Sequence, residues 1–215
     1  RRKIIDPDLY PFGRGQYVIP SSRNVKKALK DYDLEKLLNY VPQNDDERLA
    51  HDFFRLQYYL DGINITDLAH LRQENLFEDK IIYIRQKTIR TEREQNPMVV
   101  PVRQEAKEIM QRRAIHSPYL FGIINDRMDA REKKYRIEEF RSRINDSLKR
   151  ICAKTGIPRS TTYTARHTVS TKYLRKGVDI MTIKEILGHS SITTTQRYLE
   201  SIDYEGRKEL NRDVL

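Results

Sequence analysis

Cysteine is almost absent: Cys152 stands alone in 215 residues, so no disulfide can close within the chain and no pair of thiols is available for a zinc site. That usage fits a reducing cytoplasm. No apolar run approaches the ~20 residues that span a bilayer, and the basic start Arg1-Arg2-Lys3 leads into Ile-Ile-Asp-Pro instead of an apolar signal core. Neither membrane insertion nor secretion is expected. There is no internal repeat and no low-complexity tract. Acidic residues are in the minority, with 31 Asp and Glu against 41 Lys and Arg and a formal charge of +10. A surface of that sign attracts polyanions, nucleic acid first among them, although excess charge also serves solubility alone.

Helix-breaking residues crowd into the lead-in. Pro7, Pro11, Gly13, Gly15 and Pro20 leave residues 6–22 without helical periodicity, as in an extended linker. The sequence starts without Met inside this connector-like stretch, which leads to the expectation of a fragment of a longer protein. The folded unit is expected to begin near Ser21. Ser22 or Asn24 can cap a short helix over Val25 to Lys30, and Asp33 another carrying Leu34, Leu37, Leu38 and Val41. A third has the acidic first turn Asp45-Asp46-Glu47 and an apolar face of Leu49, Phe53, Leu56 and Leu60. From Lys80 to Val102, Ile81-Ile82-Tyr83-Ile84 and Met98-Val99-Val100-Pro101 flank a polar stretch and read as a hairpin or small sheet. Helical patterning returns at about 103–115 and 131–154, and then at 163–176, 179–187, 191–199 and 203–213, with Gly177 and Gly188 as helix stops. The fold class read from this is α+β, mainly helical, with a small antiparallel β-sheet.

The informative stretch runs from Thr162 to Glu200. It holds Thr-Tyr-Thr-Ala-Arg166-His167-Thr, then Leu187-Gly188-His189, then Arg197-Tyr198-Leu199, nine residues beyond that histidine. Three elements in register over about forty residues are far more specific than a lone short motif. The chain here resembles the tyrosine recombinases, or phage-integrase family. Tyr83-Ile84-Arg85-Gln86-Lys87-Thr88 looks like the family's hairpin with a catalytic lysine, and the lead-in Tyr10 to Pro20 resembles the connector in integrases of conjugative and mobilizable transposons. The resemblance implies a tyrosine-recombinase catalytic domain over 21–215 with a tail from about 201. Residues 1–20 would be the linker from an amino-terminal core-binding domain that is not present.

The chemistry explains why these residue types belong together. Transesterification at a DNA phosphate needs a nucleophile, neutralised non-bridging oxygens and a proton donor for the departing 5′ oxygen. The phenol of Tyr198 supplies the first; its ordinary pKa near ~10 requires nearby cations, which Arg166 and Lys87 would provide. Arg166 can also grip phosphate oxygens with two parallel donors. By the resemblance, Lys87 is the general acid and His189 hydrogen-bonds the phosphate or assists proton transfer. No metal or other cofactor is implied, and the 3′-phosphotyrosine conserves the bond energy for resealing. Taken singly, each residue has an ordinary reading: one of 13 tyrosines packed on a helix, a histidine at a helix C-cap, a turn lysine and a surface arginine. His167 reads as a packing residue behind the site.

Two positions depart from the family pattern. The histidine expected three residues before Arg166 is Tyr163, which can donate a hydrogen bond but does not titrate near neutrality. The first arginine, expected three residues before Asp67-Leu68, is Asn64. Arg85 is the candidate replacement, on the face of Lys87 if that segment is a strand; Arg55 and Arg72 are weaker ones. For DNA backbone contact the candidates are the basic face of Arg131, Lys134, Arg141 and Arg143, with Arg159, Ser160 and Thr161 ahead of the Arg166 helix. The partners implied are double-stranded DNA, a homotetramer joined by exchange of the C-terminal segment, and DNA-bending accessory proteins. Three functions stay open: recombination or integration for a mobile element, topoisomerase-like nicking and closing, and DNA binding on a catalytically impaired fold.

Overall fold

The computed structural model of the chain describes residues 28–87, 89, 96–189, 191–193 and 195. Its elements run α1 (Asp31–Leu38), α2 (Asp45–Tyr59), α3 (Ile65–His70), a 3-10 turn (Gln73–Asn75), β1 (Lys80–Tyr83), β2 (Met98–Pro101), α4 (Gln104–Arg113), α5 (Ala130–Thr155), α6 (Thr162–Arg175) and α7 (Ile180–Leu187). The fold is mainly helical with one two-stranded antiparallel sheet, as the sequence pattern indicated. Among the described residues no helix is long and apolar enough to cross a membrane.

Helix α2 is the hub, packing against α1, α4, α5 and α6. Asn44 starts it by accepting the Glu47 N–H at 2.9 Å, and the three acidic residues of its first turn suit the positive end of the helix dipole. Phe54, Leu56 and Leu60 are fully enclosed, and the Phe53 ring meets Phe121 and Phe140 edge-on at 5.3 and 4.8 Å. Helix α5 is held at both ends. Asp129 and Glu132 form a reciprocal capping box, and Gly156, at φ 70°, closes the other terminus in the left-handed conformation that favours glycine. Its buried stripe includes the expected Ile137, Ile144, Leu148 and Ile151.

Two buried carboxylates tie helices together. Asp52 takes Arg112 at 2.6 Å and Arg113 at 2.7 Å from α4, and Glu47 takes Lys154 of α5 at 2.6 Å and the Tyr40 hydroxyl at 2.7 Å.

The expected elements needed several corrections. Asp33 is not a cap: α1 begins at Asp31, where Lys30 is the N-cap without a side-chain bond, and Asp33 lies in the first turn beside the helix dipole. Helix α3 was not foreseen, because its six residues are too few to display a period. Strand β1 ends at Tyr83, paired with Met98, so Arg85 and Lys87 occupy the following turn. Strand alternation therefore cannot set their orientation: Arg85 is buried and Lys87 exposed. Of the expected helix 191–199, residues 192, 193 and 195 are helical, Ser191 is not, and the rest lies outside the described residues, as do 203–213 and the proposed caps at 22 and 24; of the expected helix over Val25 to Lys30, the described residues 28–30 are not helical.

Candidate active site

Arg166 enters the site from α6, already 3% exposed, because Gly62 lets the backbone of the preceding turn come close. A Cβ at Gly62 would lie 2.9 Å from the Arg166 Cα, and its φ of +76° is left-handed as well. The Arg166 guanidinium donates from Nη1 to the Gly62 carbonyl at 2.9 Å and from Nη2 to the Leu187 carbonyl. Leu187 is the last residue of α7, whose terminal carbonyls carry partial negative charge. Arg85 donates from Nη1 to the next carbonyl, that of Gly188. Two guanidinium groups from segments far apart in sequence thus converge on one helix end.

Gly188 permits this second approach. A Cβ there would meet Met98 Sδ at 2.8 Å and Arg85 Cδ at 3.1 Å, so the glycine allows the hairpin to seat against α7. Arg85 Nε also lies 4.0 Å from Asp67 Oδ2. Asp67 is buried at 3% exposure, accepts the Gln86 N–H at 2.9 Å and takes a longer contact of 3.5 Å from Asn64 Nδ2. Burial pushes its carboxyl pKa up; the Gln86 bond and the charges of Arg85 and Arg166 pull the other way. Arg85 therefore reaches the charge cluster through the turn after β1, and Asn64 sits at the N-cap of α3 beside the same carboxylate.

His189 follows Gly188 directly. Its N–H is fixed to the Lys184 carbonyl at 2.9 Å, and its Nδ1 is 2.9 Å from the hydroxyl of Thr195. Burial, then the charges of Arg166, Arg85, Lys87 and His167, lower its pKa to about 3, so the ring is neutral at physiological pH. Lys87 is exposed and near enough to act on His189 electrostatically. Tyr163 is 40% exposed, with its ring 4.7 Å from that of His167. Arg166, Arg85, His189 and Lys87 are thus brought together. Tyr198 lies outside the described residues.

The expected DNA-contacting residues are more scattered. Arg131, Lys134 and Arg159 are exposed. Arg141 pairs with Glu138, and Arg143 holds Asp46 of α2 at 2.6 Å, so part of the basic face is neutralised within the chain. The Ser160 hydroxyl is fully buried on the Pro158 carbonyl, and Thr161 shares a capping box with Thr164. The N–H of Thr162 goes to Asn145 Oδ1 at 2.9 Å, so the first donors of α6 are largely satisfied internally. Arg72, one of the weaker substitutes for the missing arginine, is occupied elsewhere: it pairs with Asp126 at 2.5 Å and stacks over Tyr119. Arg55 lies over the Tyr59 ring.

Sequence reasoning missed Thr195, which stood in the motif without a role, and the Asp67–Arg85 pair, which only the folded chain reveals. Among the described residues no group of three His, Cys, Asp or Glu side chains is arranged to hold a metal ion.

Residues 27–205 match the Phage integrase family. The tyrosine recombinase XerA of Pyrococcus furiosus is 30% identical over 183 residues, covering 82% of this chain and 58% of that protein. The tyrosine recombinase XerC of Thermodesulfovibrio yellowstonii is 30% identical over 192 residues, covering 84% and 61%. The chain therefore spans about three fifths of the length of these curated relatives. In fold it is similar to a crystallised XerA recombinase, with a TM-score of 0.62, 20% identity and coverage of 87% of this chain and 64% of that one. It is also similar to the Tn1549 transposon integrase in complex with transposon right end DNA, with a TM-score of 0.57, 16% identity and coverage of 93% and 68%.

Proposed function

The chain belongs to the phage-integrase family of tyrosine recombinases, and on that premise we propose that it carries the catalytic apparatus for site-specific recombination or integration of double-stranded DNA. The observation that carries this reading is the convergence of Arg166, Arg85 and His189 on the end of α7. The Tyr198 hydroxyl gives up its proton to solvent, an ionisation that the charges of Arg166, Arg85 and Lys87 favour, and its oxygen attacks a backbone phosphorus, so that a phosphotyrosine bond forms and the bond to the 5′ oxygen breaks. The electron pair leaves with that oxygen, which takes its proton from Lys87. Arg166 and Arg85 neutralise the non-bridging oxygens, and neutral His189 adds a hydrogen bond. Rejoining is the reverse attack by a 5′ hydroxyl of another strand.

Arg85 fills the role left open by Asn64. Its charge lies beside Asp67 and Arg166, and its Nη1 bond to Gly188 directs it to the same end of α7. Tyr198 follows Thr195 by three residues, which span at most about 11 Å even when extended, a reach that allows the phenol to serve the site of its own chain. Recombination then calls for several protomers, with the C-terminal segment as candidate for exchange between them. Asn64 and Tyr163 support the second reading, a DNA-binding protein with impaired catalysis on the same fold.

Incubating the protein with nicked suicide DNA sites tests these readings. A covalent protein–DNA adduct that disappears in Tyr198→Phe is expected, and joining between two sites separates recombination from simple relaxation. Absence of any adduct with an otherwise bound site selects the impaired binder.

A further inference from the structure

His189 is fixed twice. The cap of α7 holds its backbone, and the hydroxyl of Thr195, a residue only 2% exposed, holds its ring. A neutral imidazole carries one proton, and the partner of one nitrogen decides which nitrogen bears it. We propose that Thr195 is a positioning residue of the site, its hydroxyl donating to His189 Nδ1 and so keeping the ring proton on Nε2, where His189 serves as a neutral hydrogen-bond donor. This rests on the functional reading above and assigns one group in it.

The assignment follows from where the hydroxyl proton can go. Thr195 Oγ1 is buried, and among the described residues its one side-chain hydrogen bond is the 2.9 Å contact to Nδ1. Were Nδ1 protonated, the hydroxyl would accept there, and its own proton would lose that partner, a costly state for a buried donor. Donation to Nδ1 satisfies both atoms. The surroundings agree: burial, then the charges of Arg166, Arg85 and Lys87, disfavour an imidazolium, so the ring is available to donate but not to shuttle protons as a cation. The leaving-group proton must come from another group. Thr195 also stands three residues before Tyr198, so one hydroxyl links the nucleophile's segment to the ring.

The test is the tautomer of His189 in 15N-histidine-labelled protein at pH 7, read from long-range nitrogen–proton correlations and assigned with His189→Asn. The Nε2–H form is expected in the wild type, a mixture in Thr195→Val, and recovery in Thr195→Ser; the other four histidines report whether each variant is folded. An Nδ1–H tautomer, or an imidazolium, in the wild type overturns the proposal. On suicide DNA, Thr195→Val should slow adduct formation about tenfold, the size of one lost hydrogen bond, with DNA affinity within about twofold, and Thr195→Ser should recover most of the loss. An unchanged rate in Thr195→Val also overturns it. A wild type with the Nε2–H tautomer but no adduct sinks the functional reading alone, whereas an adduct-forming wild type with Nδ1–H sinks this assignment alone.

Discussion

Arg85 illustrates what a residue's chemistry reveals and what it conceals. Its charge and its distance of two residues from Lys87 make it visible as a substitute for the arginine absent at position 64, but the strand face once invoked for it does not exist. Burial against Asp67 and the Gly188 carbonyl brings it to the cluster instead, through contacts more than fifteen residues apart in sequence. Such contacts leave no local pattern. Arg166, His189 and Lys87 were legible because motif spacing announces them, whereas Thr195 acquires meaning only from the ring it touches. Removing a preorganised donor from developing charge costs about a hundredfold or more. Arg85→Ala is therefore expected to slow adduct formation by roughly that factor, with Arg85→Lys intermediate because a point charge cannot reproduce the fork of donors. Rates equal to wild type in Arg85→Ala would remove it from the phosphate clamp.

At the scale of elements, helices of eight residues or more were readable and the six-residue α3 was not. The stripe of α5 and the acidic start of α2 follow from periodicity and capping, while α3 is too short to show a period and its N-cap, Asn64, makes no side-chain cap bond. Turns matter as much as helices in building the site. The turn at Asp61 and Gly62 runs through φ of 52° and 76°, and α6 grips it at two points: Arg166 on the Gly62 carbonyl and the Tyr173 hydroxyl on Asp61 at 2.6 Å. Gly62→Ala is expected to cost about 1–3 kcal/mol from backbone strain and crowding, and to reduce cleavage by displacing Arg166. A melting curve and an adduct assay together would register both effects. Between α2 and α4, Asp52→Ala strands two arginines and should cost about 2 kcal/mol, lowering Tm by roughly 4–8 °C. A change under one degree would show that the ion pairs contribute nothing net.

For the molecule as a whole, charge was the first property visible and remains the broadest. The excess of +10 should make DNA affinity fall steeply with salt, and a flat response would deny a phosphate-dominated interface. Acid stability has a more local origin. Lys154, Tyr40 and the Gln43 N–H hold the Glu47 carboxyl at a pKa of about 2 against an opposing burial effect, below its ordinary 4.5. A carboxylate depressed on folding contributes stability above its unfolded pKa and loses it as pH falls toward the folded value. Stability of the wild type relative to Glu47→Gln should therefore shrink between about pH 4.5 and 2, as thermal melts across that window would show; a constant difference would mean the pair does not set it. The central claim is that Arg166, Arg85 and His189 surround one phosphorus within reach of Tyr198. The measurement closest to it is a structure with DNA whose scissile phosphate is replaced by vanadate. The account predicts vanadium bonded to the Tyr198 oxygen, with both guanidinium groups and His189 Nε2 donating to its oxygens at about 3 Å. Vanadate bound away from α7's end, or with Arg85 turned from it, would contradict the claim.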